Sequence, residues 1–203
     1  MKDSPWFTLL FMFVITALLT GALSGIYEFT KPMIETNAEI DIKRAHLYAF
    51  GIDYPPESTP EDMEAIYMDK IETGEKEGMD IYIEKDDAGQ PKAYGFHFAG
   101  GALWGEVEGV LVLTSDLKRI LGIDFIEQNE TPGLGGRIEE PEFKEQFRDV
   151  ELSHEGSPLA YSSPGREGQV DAITGATSTS DAVLNILNKE IEKIKSSMGG
   201  EQE

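Results

Sequence analysis

The hydrophobic pattern changes character twice along the chain. From Trp6 to Tyr27 no charged residue appears, and most positions are apolar. A membrane-crossing helix needs about 20 such residues at roughly 1.5 Å of rise each. Trp6 and Tyr27 stand at the two ends of the run, where amphipathic rings favour the headgroup level. The pattern predicts one transmembrane helix within residues 1–30. A cleaved signal peptide is the competing reading, with Ala22-Leu23-Ser24 as the cleavage site, but the run exceeds the usual core of about 7–15 residues. Ala17, Gly21 and Gly25 fall at i, i+4 and i+8. Such a stripe is either ordinary for a membrane helix or a packing face for other membrane subunits. Lys2 precedes the run, while Lys31, Lys43 and Arg44 follow it. That count keeps the large domain in the cytoplasm, although long domains translocate largely regardless of such charges.

Residues 31–75 read as a connector. Pro32 is placed just beyond the membrane helix, and Ile34, Ala38 and Ile42 share one helical face. Pro55, Pro56 and Pro60 break regular structure, and Pro60 to Met68 suits a short acidic helix. From Met79 the period drops to two. Met79, Ile81 and Ile83 alternate with Asp80, Tyr82 and Glu84, and Asp86-Asp87-Ala88-Gly89 makes a turn. Further strands are predicted around Tyr94–Phe98, Val107–Leu113 and Ile120–Ile126, the last two separated by Ser115-Asp116. Helical spacing then returns. One helix is expected over about Pro141–Asp149, with Phe143 and Phe147 at i, i+4. A second is expected over about Ser180–Ser196, striped by Val183, Leu187, Ile191 and Ile194 and capped by Ser178 or Thr179. The fold class is α+β, an antiparallel sheet with packed helices, preceded by one transmembrane helix. One soluble domain is expected over 76–198, with a short tail over 199–203.

Composition narrows the function. The 203 residues hold 17 Lys+Arg against 38 Asp+Glu, a net charge of −21. Phosphate backbones and anionic lipid surfaces would repel such a chain, so nucleic-acid binding is excluded. Cysteine is absent, which removes disulfides, thiol nucleophiles, iron–sulfur clusters and Cys-type zinc sites. Redox chemistry here would require a borrowed cofactor.

The most informative stretch is Asp171-Ala172-Ile173-Thr174-Gly175-Ala176-Thr177-Ser178-Thr179. It reads as a small-residue turn opening onto a helix N-terminus. Free N–H groups and the helix dipole make such a place a ready anion site. Gly175 and Ala176 allow close backbone approach, and Thr174, Thr177, Ser178 and Thr179 add hydroxyls. A plain Ser/Thr-capped helix would explain the segment by itself. Two further blocks stand upstream: Glu130-Thr131-Pro132-Gly133-Leu134-Gly135-Gly136, a tight turn with glycines for positive φ, and Gly100-Gly101-Ala102-Leu103-Trp104-Gly105. Taken singly, the first is equally a structural turn, and Trp104 is equally a core residue.

Together the blocks resemble the FMN-binding subunits of two membrane complexes: the C subunit of the Na⁺-translocating NADH:quinone reductase and the G subunit of the Rnf complex. Asp171, Thr174, Gly175, Ala176 and Thr177 match the family's flavinylation motif, Asp-x-x-(Ser/Thr)-Gly-Ala-Thr. Glu130 to Gly135 match its Glu-Thr-Pro-Gly-Leu-Gly signature. The Trp104 segment looks like that of the C subunits. The resemblance implies FMN phosphoester-linked to Thr177, installed by a Mg²⁺-dependent flavin transferase from FAD. It also implies flavin contacts from the Glu130–Gly135 turn, Leu134 and Trp104, and a role for Asp171 in the transferase's recognition sequence or in the turn. It further implies electron transfer within an ion-translocating oxidoreductase, membrane partner subunits, and a soluble domain on the periplasmic or extracellular face. Two other readings stay open. One is an assembly subunit without flavin; the other is an anchored flavoprotein of another extracellular electron-transport chain. A non-redox extracellular binding module is a more distant alternative. His46, His97 and His154 show no metal-ligand spacing, and no metal site is expected. His97, in an aromatic strand, is read as packing. The many carboxylates form a solvated surface that can steer a basic partner.

Overall fold

A computed structural model describes residues 5–153, 156–161 and 169–198. His154, Lys2 and the 199–203 tail lie outside the described residues. The chain divides into two compact units, Met1–Ile40 and Asp41–Glu203.

The first unit is the greater part of helix α1 (Pro5–Phe50, 46 residues). Its stretch from Trp6 to Phe29 is exposed throughout, and α1 is long and apolar enough to cross a membrane. Pro32 corrects one expectation. It lies inside α1 rather than beyond its end, and the helix carries on despite the donor that proline lacks. Beside it, Thr36 Oγ1 donates to the Pro32 carbonyl at 3.0 Å.

The second unit begins with the last turns of α1, where Ala45, His46, Leu47, Ala49 and Phe50 are buried. Gly51, at φ +69°, ends the helix. Its N–H bonds Tyr48 O at 2.9 Å, and Ile52 N–H bonds Leu47 O at 2.9 Å, the two bonds of a Schellman motif. Helix α2 (Pro60–Lys70) starts with a capping box between Thr59 and Asp62, with proline in its first turn.

Six strands follow: β1 (Ile71–Lys76), β2 (Met79–Lys85), β3 (Pro91–Gly101), β4 (Glu106–Thr114), β5 (Arg119–Glu127) and the short β6 (Val150–Glu151). They pair in sequence order, antiparallel throughout, as the alternation predicts. β4 shows why its sequence reads as a continuous apolar run. Val110 and Val112 join one core with Leu47, Ala49, Phe50, Tyr67 and Ile71. Leu111 and Leu113 join the other with Phe96, Phe147 and the stripe of helix α4 (Thr177–Met198). A strand covered on both faces needs no polar alternation. Between β5 and β6 the expected nine-residue helix is shorter. It consists of α3 (Pro141–Lys144) and a 3₁₀ turn at Glu145–Phe147, with a separate 3₁₀ turn at Gly135–Glu139 ahead of them. Two further short strands, β7 (Ala160–Tyr161) and β8 (Gln169–Val170), pair in parallel.

Candidate functional site

Helix α4 opens at Thr177, three residues ahead of the expected start. Ser178 and Thr179 are therefore inside its first turn, not caps. The preceding chain is fixed from several directions. Asp171 N–H donates to Gln146 Oε1 at 2.6 Å. Ile173 is buried, and its N–H donates to Ser180 Oγ at 3.0 Å, while that hydroxyl donates to Ala176 O at 3.0 Å. Ala176 N–H closes the turn on Ile173 O at 3.0 Å, with Gly175 at φ +83°. Gly175 thus supplies the positive φ that a type II turn needs at its third residue. The result presents Thr174, Gly175, Thr177 and Ser178 to solvent, with Ala176 packed beneath. The first N–H groups of any helix lack intrahelical partners, and the first turn of α4 contains no acidic residue. Its positive end is left for an external anion.

The second loop comes to the same place. Leu134 N–H and Gly136 N–H both donate to Thr131 O, at 3.1 and 3.0 Å. Gly133 sits at φ +74°, so Thr131-Pro132-Gly133-Leu134 is another type II turn. Leu134 lies against Gly175: a Cβ built on that glycine would stand 3.7 Å from Leu134 Cδ2.

The third loop joins through Glu130. Ala102 N–H donates to Gly105 O at 2.7 Å, folding Leu103 and Trp104 outward. Trp104 N–H donates to Glu130 Oε1 at 2.8 Å. Thr179 Oγ1 donates to Glu130 Oε2 at 2.5 Å. One carboxylate therefore ties the Trp104 loop to the first turn of α4. Glu130, expected among the flavin contacts, is only 5% exposed, with both oxygens engaged by the protein itself. Gly135 is likewise buried. The described large apolar side chains left exposed in the second unit are Met68, Leu103, Trp104 and Leu134. Three of these four sit on the two loops that meet at Glu130. A groove of about 770 Å³ leads away from Ser178, between α4 and Ala99, Gly100 and Gly101.

The sequence pattern offers Thr179 as a hydroxyl and a cap but not as a buried partner of Glu130, and it gives no role to Ser180 or Gln146. Thr179 and Ser180 stand four and three residues before Val183, so they continue the apolar stripe of α4 backwards. Polar residues on a buried stripe need partners, and that was the available signal. Among the described residues no cluster of three potential metal ligands exists. His97 makes ring contacts but is itself exposed. Its Nε2 meets His46 Nε2 at 3.2 Å, and its ring stacks on Tyr82 at 5.1 Å.

An anion-ready helix end beside an exposed aromatic and aliphatic surface defines a site for a flat, phosphorylated cofactor. The comparisons with known proteins agree. Residues 102–192, which span all three loops, match the FMN-binding domain family. The chain is 35% identical over 111 residues to the C subunit of the Na⁺-translocating NADH-quinone reductase of Pasteurella multocida, covering 52% of this chain and 43% of that protein. It is 36% identical over 96 residues to the G subunit of the ion-translocating oxidoreductase complex of Methanosarcina acetivorans, covering 47% of each. The match thus spans less than half the length of these curated relatives. The crystal structure of the reductase's C subunit from Parabacteroides distasonis superposes with a TM-score of 0.67 at 25% identity, over 81% of this chain and 94% of that one. The Shewanella oneidensis protein shares the fold at a TM-score of 0.62 and 17% identity. Over residues 102–192 the chain thus carries a domain that matches the FMN-binding family, and it is similar there to the C subunit of the Na⁺-translocating reductase and the G subunit of the ion-translocating oxidoreductase complex.

Proposed function

We propose that this chain is a membrane-anchored electron-transfer subunit of an Nqr- or Rnf-type ion-translocating oxidoreductase, carrying one FMN phosphoester-linked to Thr177. The observation that carries this reading is the placement of Thr177. Its hydroxyl-bearing residue is exposed at the first position of α4, next to Gly175 and the Leu134 side chain. FMN, when bound, accepts and releases electrons; the protein supplies attachment, orientation and electrostatics. The α4 N-terminus neutralises phosphate charge, and Thr174 and Ser178 offer hydroxyl donors beside it. Leu134 and Trp104 give the ring system an apolar surface, and Gly175 lets it approach the backbone. In the attachment step Thr177 Oγ bonds to the phosphorus of the FMN half of FAD. The phosphorus–oxygen bond to AMP breaks, AMP leaves, and the hydroxyl proton passes to solvent. A separate flavin transferase carries out that step, and Asp171 lies in the segment it reads. The outer face of the membrane is the side on which a covalent tether prevents cofactor loss. Other membrane subunits of the complex are the partners, with Ala17, Gly21 and Gly25 as the helix face they meet.

The test is the intact mass of denatured protein made together with a flavin transferase, for wild type and Thr177→Ala. One added FMN in wild type, absent from the variant, is expected. No adduct on wild type, with the transferase active on a control substrate, sinks the covalent attachment and favours an assembly subunit.

A further inference from the structure

Glu130 is the one buried carboxylate that sits where all three loops of the site converge. Its oxygens serve two donors remote from each other in sequence, Trp104 N–H at 2.8 Å and Thr179 Oγ1 at 2.5 Å. Its own N–H is held by Gln128 Oε1 at 2.7 Å. Among the described residues it forms no ion pair. A buried carboxylate is costly unless its oxygens are satisfied, and here both are satisfied by groups that belong to the site's walls. Gly135 completes the arrangement. A Cβ there would stand 2.5 Å from Thr179 Oγ1 and 2.7 Å from Glu130 Oε2, so only glycine leaves the carboxylate room to reach α4.

We propose that Glu130 is a positioning residue: it holds the Trp104 loop at a fixed place relative to the first turn of α4, so a flavin on Thr177 finds its stacking surface already assembled. The inference rests on the flavin reading above. Glu130 itself does not touch the flavin; it acts through Trp104 and Thr179. Preorganised contacts of this kind spare a cofactor site the cost of ordering a loop on binding.

The experiment uses the full-length protein, produced with the transferase and held in detergent. Intact mass reports the adduct, and flavin fluorescence reports the neighbouring tryptophan, because an indole stacked on a flavin quenches it. Trp104→Ala is expected to raise the fluorescence yield. Glu130→Ala and Thr179→Val are expected to reproduce most of that rise while keeping the adduct. Glu130→Gln is expected to stay near wild type. Its amide oxygen can accept from Trp104 N–H, and its NH₂ can donate to the Thr179 hydroxyl, which accepts as readily as it donates. A Glu130→Ala protein as quenched as wild type overturns the proposal, as does a Glu130→Gln protein that behaves like Glu130→Ala. An unchanged yield in Trp104→Ala overturns it too, because Trp104 is then not the flavin's neighbour. Should Glu130→Ala fail to fold, Thr179→Val decides alone, since it removes one tie and keeps the residue's volume. Absence of the adduct from wild type is a separate result and sinks the attachment reading.

Discussion

At the scale of single residues, neighbouring glycines in the 130–136 turn carry different burdens. Gly135 faces Thr179 Oγ1 and Glu130 Oε2, whereas a Cβ on Gly136 would find its nearest atom, Thr131 O, at 3.4 Å. Gly135→Ala should therefore cost about 1–3 kcal/mol of stability, the usual range for overpacking. Gly136→Ala should cost under about 0.5 kcal/mol. Urea midpoints of the two variants check this directly. Gly175→Ala is a third case. Space is available there, but the φ of +83° is costly for alanine by about 1–2 kcal/mol. Thr177, Gly175 and the Pro132-Gly133 turn were all legible in the sequence, because turn chemistry is local. The role of Glu130 was not. A carboxylate in a signature motif looks like a ligand contact until its partners are known, and those lie 26 residues upstream and 49 downstream.

At the scale of elements, the end of α1 is fixed to the sheet by two polar devices. Arg148 donates to Tyr48 O at 2.6 Å, to Ala49 O at 3.1 Å and to Leu121 O at 3.1 Å, with its guanidinium 4.7 Å from the Tyr48 ring. A lysine cannot span three carbonyls and stack at once. Arg148→Lys should cost about 1–3 kcal/mol, read as a lowered thermal midpoint. The second device is the histidine pair. His46 is fully buried, and its Nδ1 donates to Ile42 O at 2.8 Å, which leaves its Nε2 to accept from His97. Burial pushes His46 down to about 4, against the Ile42 carbonyl and helped by His97. Burial lowers His97 as well, with Asp80 opposing; Tyr67 and Tyr82 are the other polar side chains against the pair. Unfolded histidine titrates near 6.5, so between that pH and about 4 the unfolded chain binds more protons. Stability should be level above about pH 7 and fall by up to about 1.4 kcal/mol per pH unit per proton as the pH drops through that window. Carboxylates with lowered values, such as Glu145 and Asp116, begin to contribute only below about pH 4.5. A slope between about pH 6.5 and 5 that is undiminished in His46→Gln would contradict a contribution from His46. Strands β2 and β3 and helix α4 were legible from period, and β4 and β5 from apolar runs bounded by turns. β1 was not: in Ile71-Glu72-Thr73-Gly74-Glu75-Lys76 only Ile71 is buried, as suits an edge strand with little to bury.

At the scale of the whole molecule, the division into two units and the placement of the core make different predictions for two truncations. Among the described residues, both core clusters are built from residues 45 onward, within the second unit. A chain starting at Asp41 keeps both clusters and loses the exposed apolar run. It should be soluble without detergent, show a mixed α+β circular dichroism spectrum, and melt in one cooperative step. A chain starting at residue 76, where the sequence pattern sets the domain boundary, meets a different fate. It discards Leu47, Phe50, Tyr67 and Ile71, all nearly fully buried, and uncovers Ala93, Val110 and Val112 on one face of the sheet. Each large side chain contributes about 1.5–3 kcal/mol by burial. Their combined loss is of the same order as the whole net stability of a domain, about 5–15 kcal/mol. The stripped sheet face would also expose contiguous apolar surface, which drives association. The shorter chain should therefore aggregate or stay unfolded while the longer one folds. Size-exclusion chromatography and thermal melts of the two proteins separate these outcomes. A folded, monomeric 76–203 chain would show that the segment from Asp41 to Glu75 only decorates the sheet. The sequence hid this because prolines 55, 56 and 60 and a run of acids make the segment look like a linker, while its few buried residues are contributed singly, from a helix end, a short helix and an edge strand.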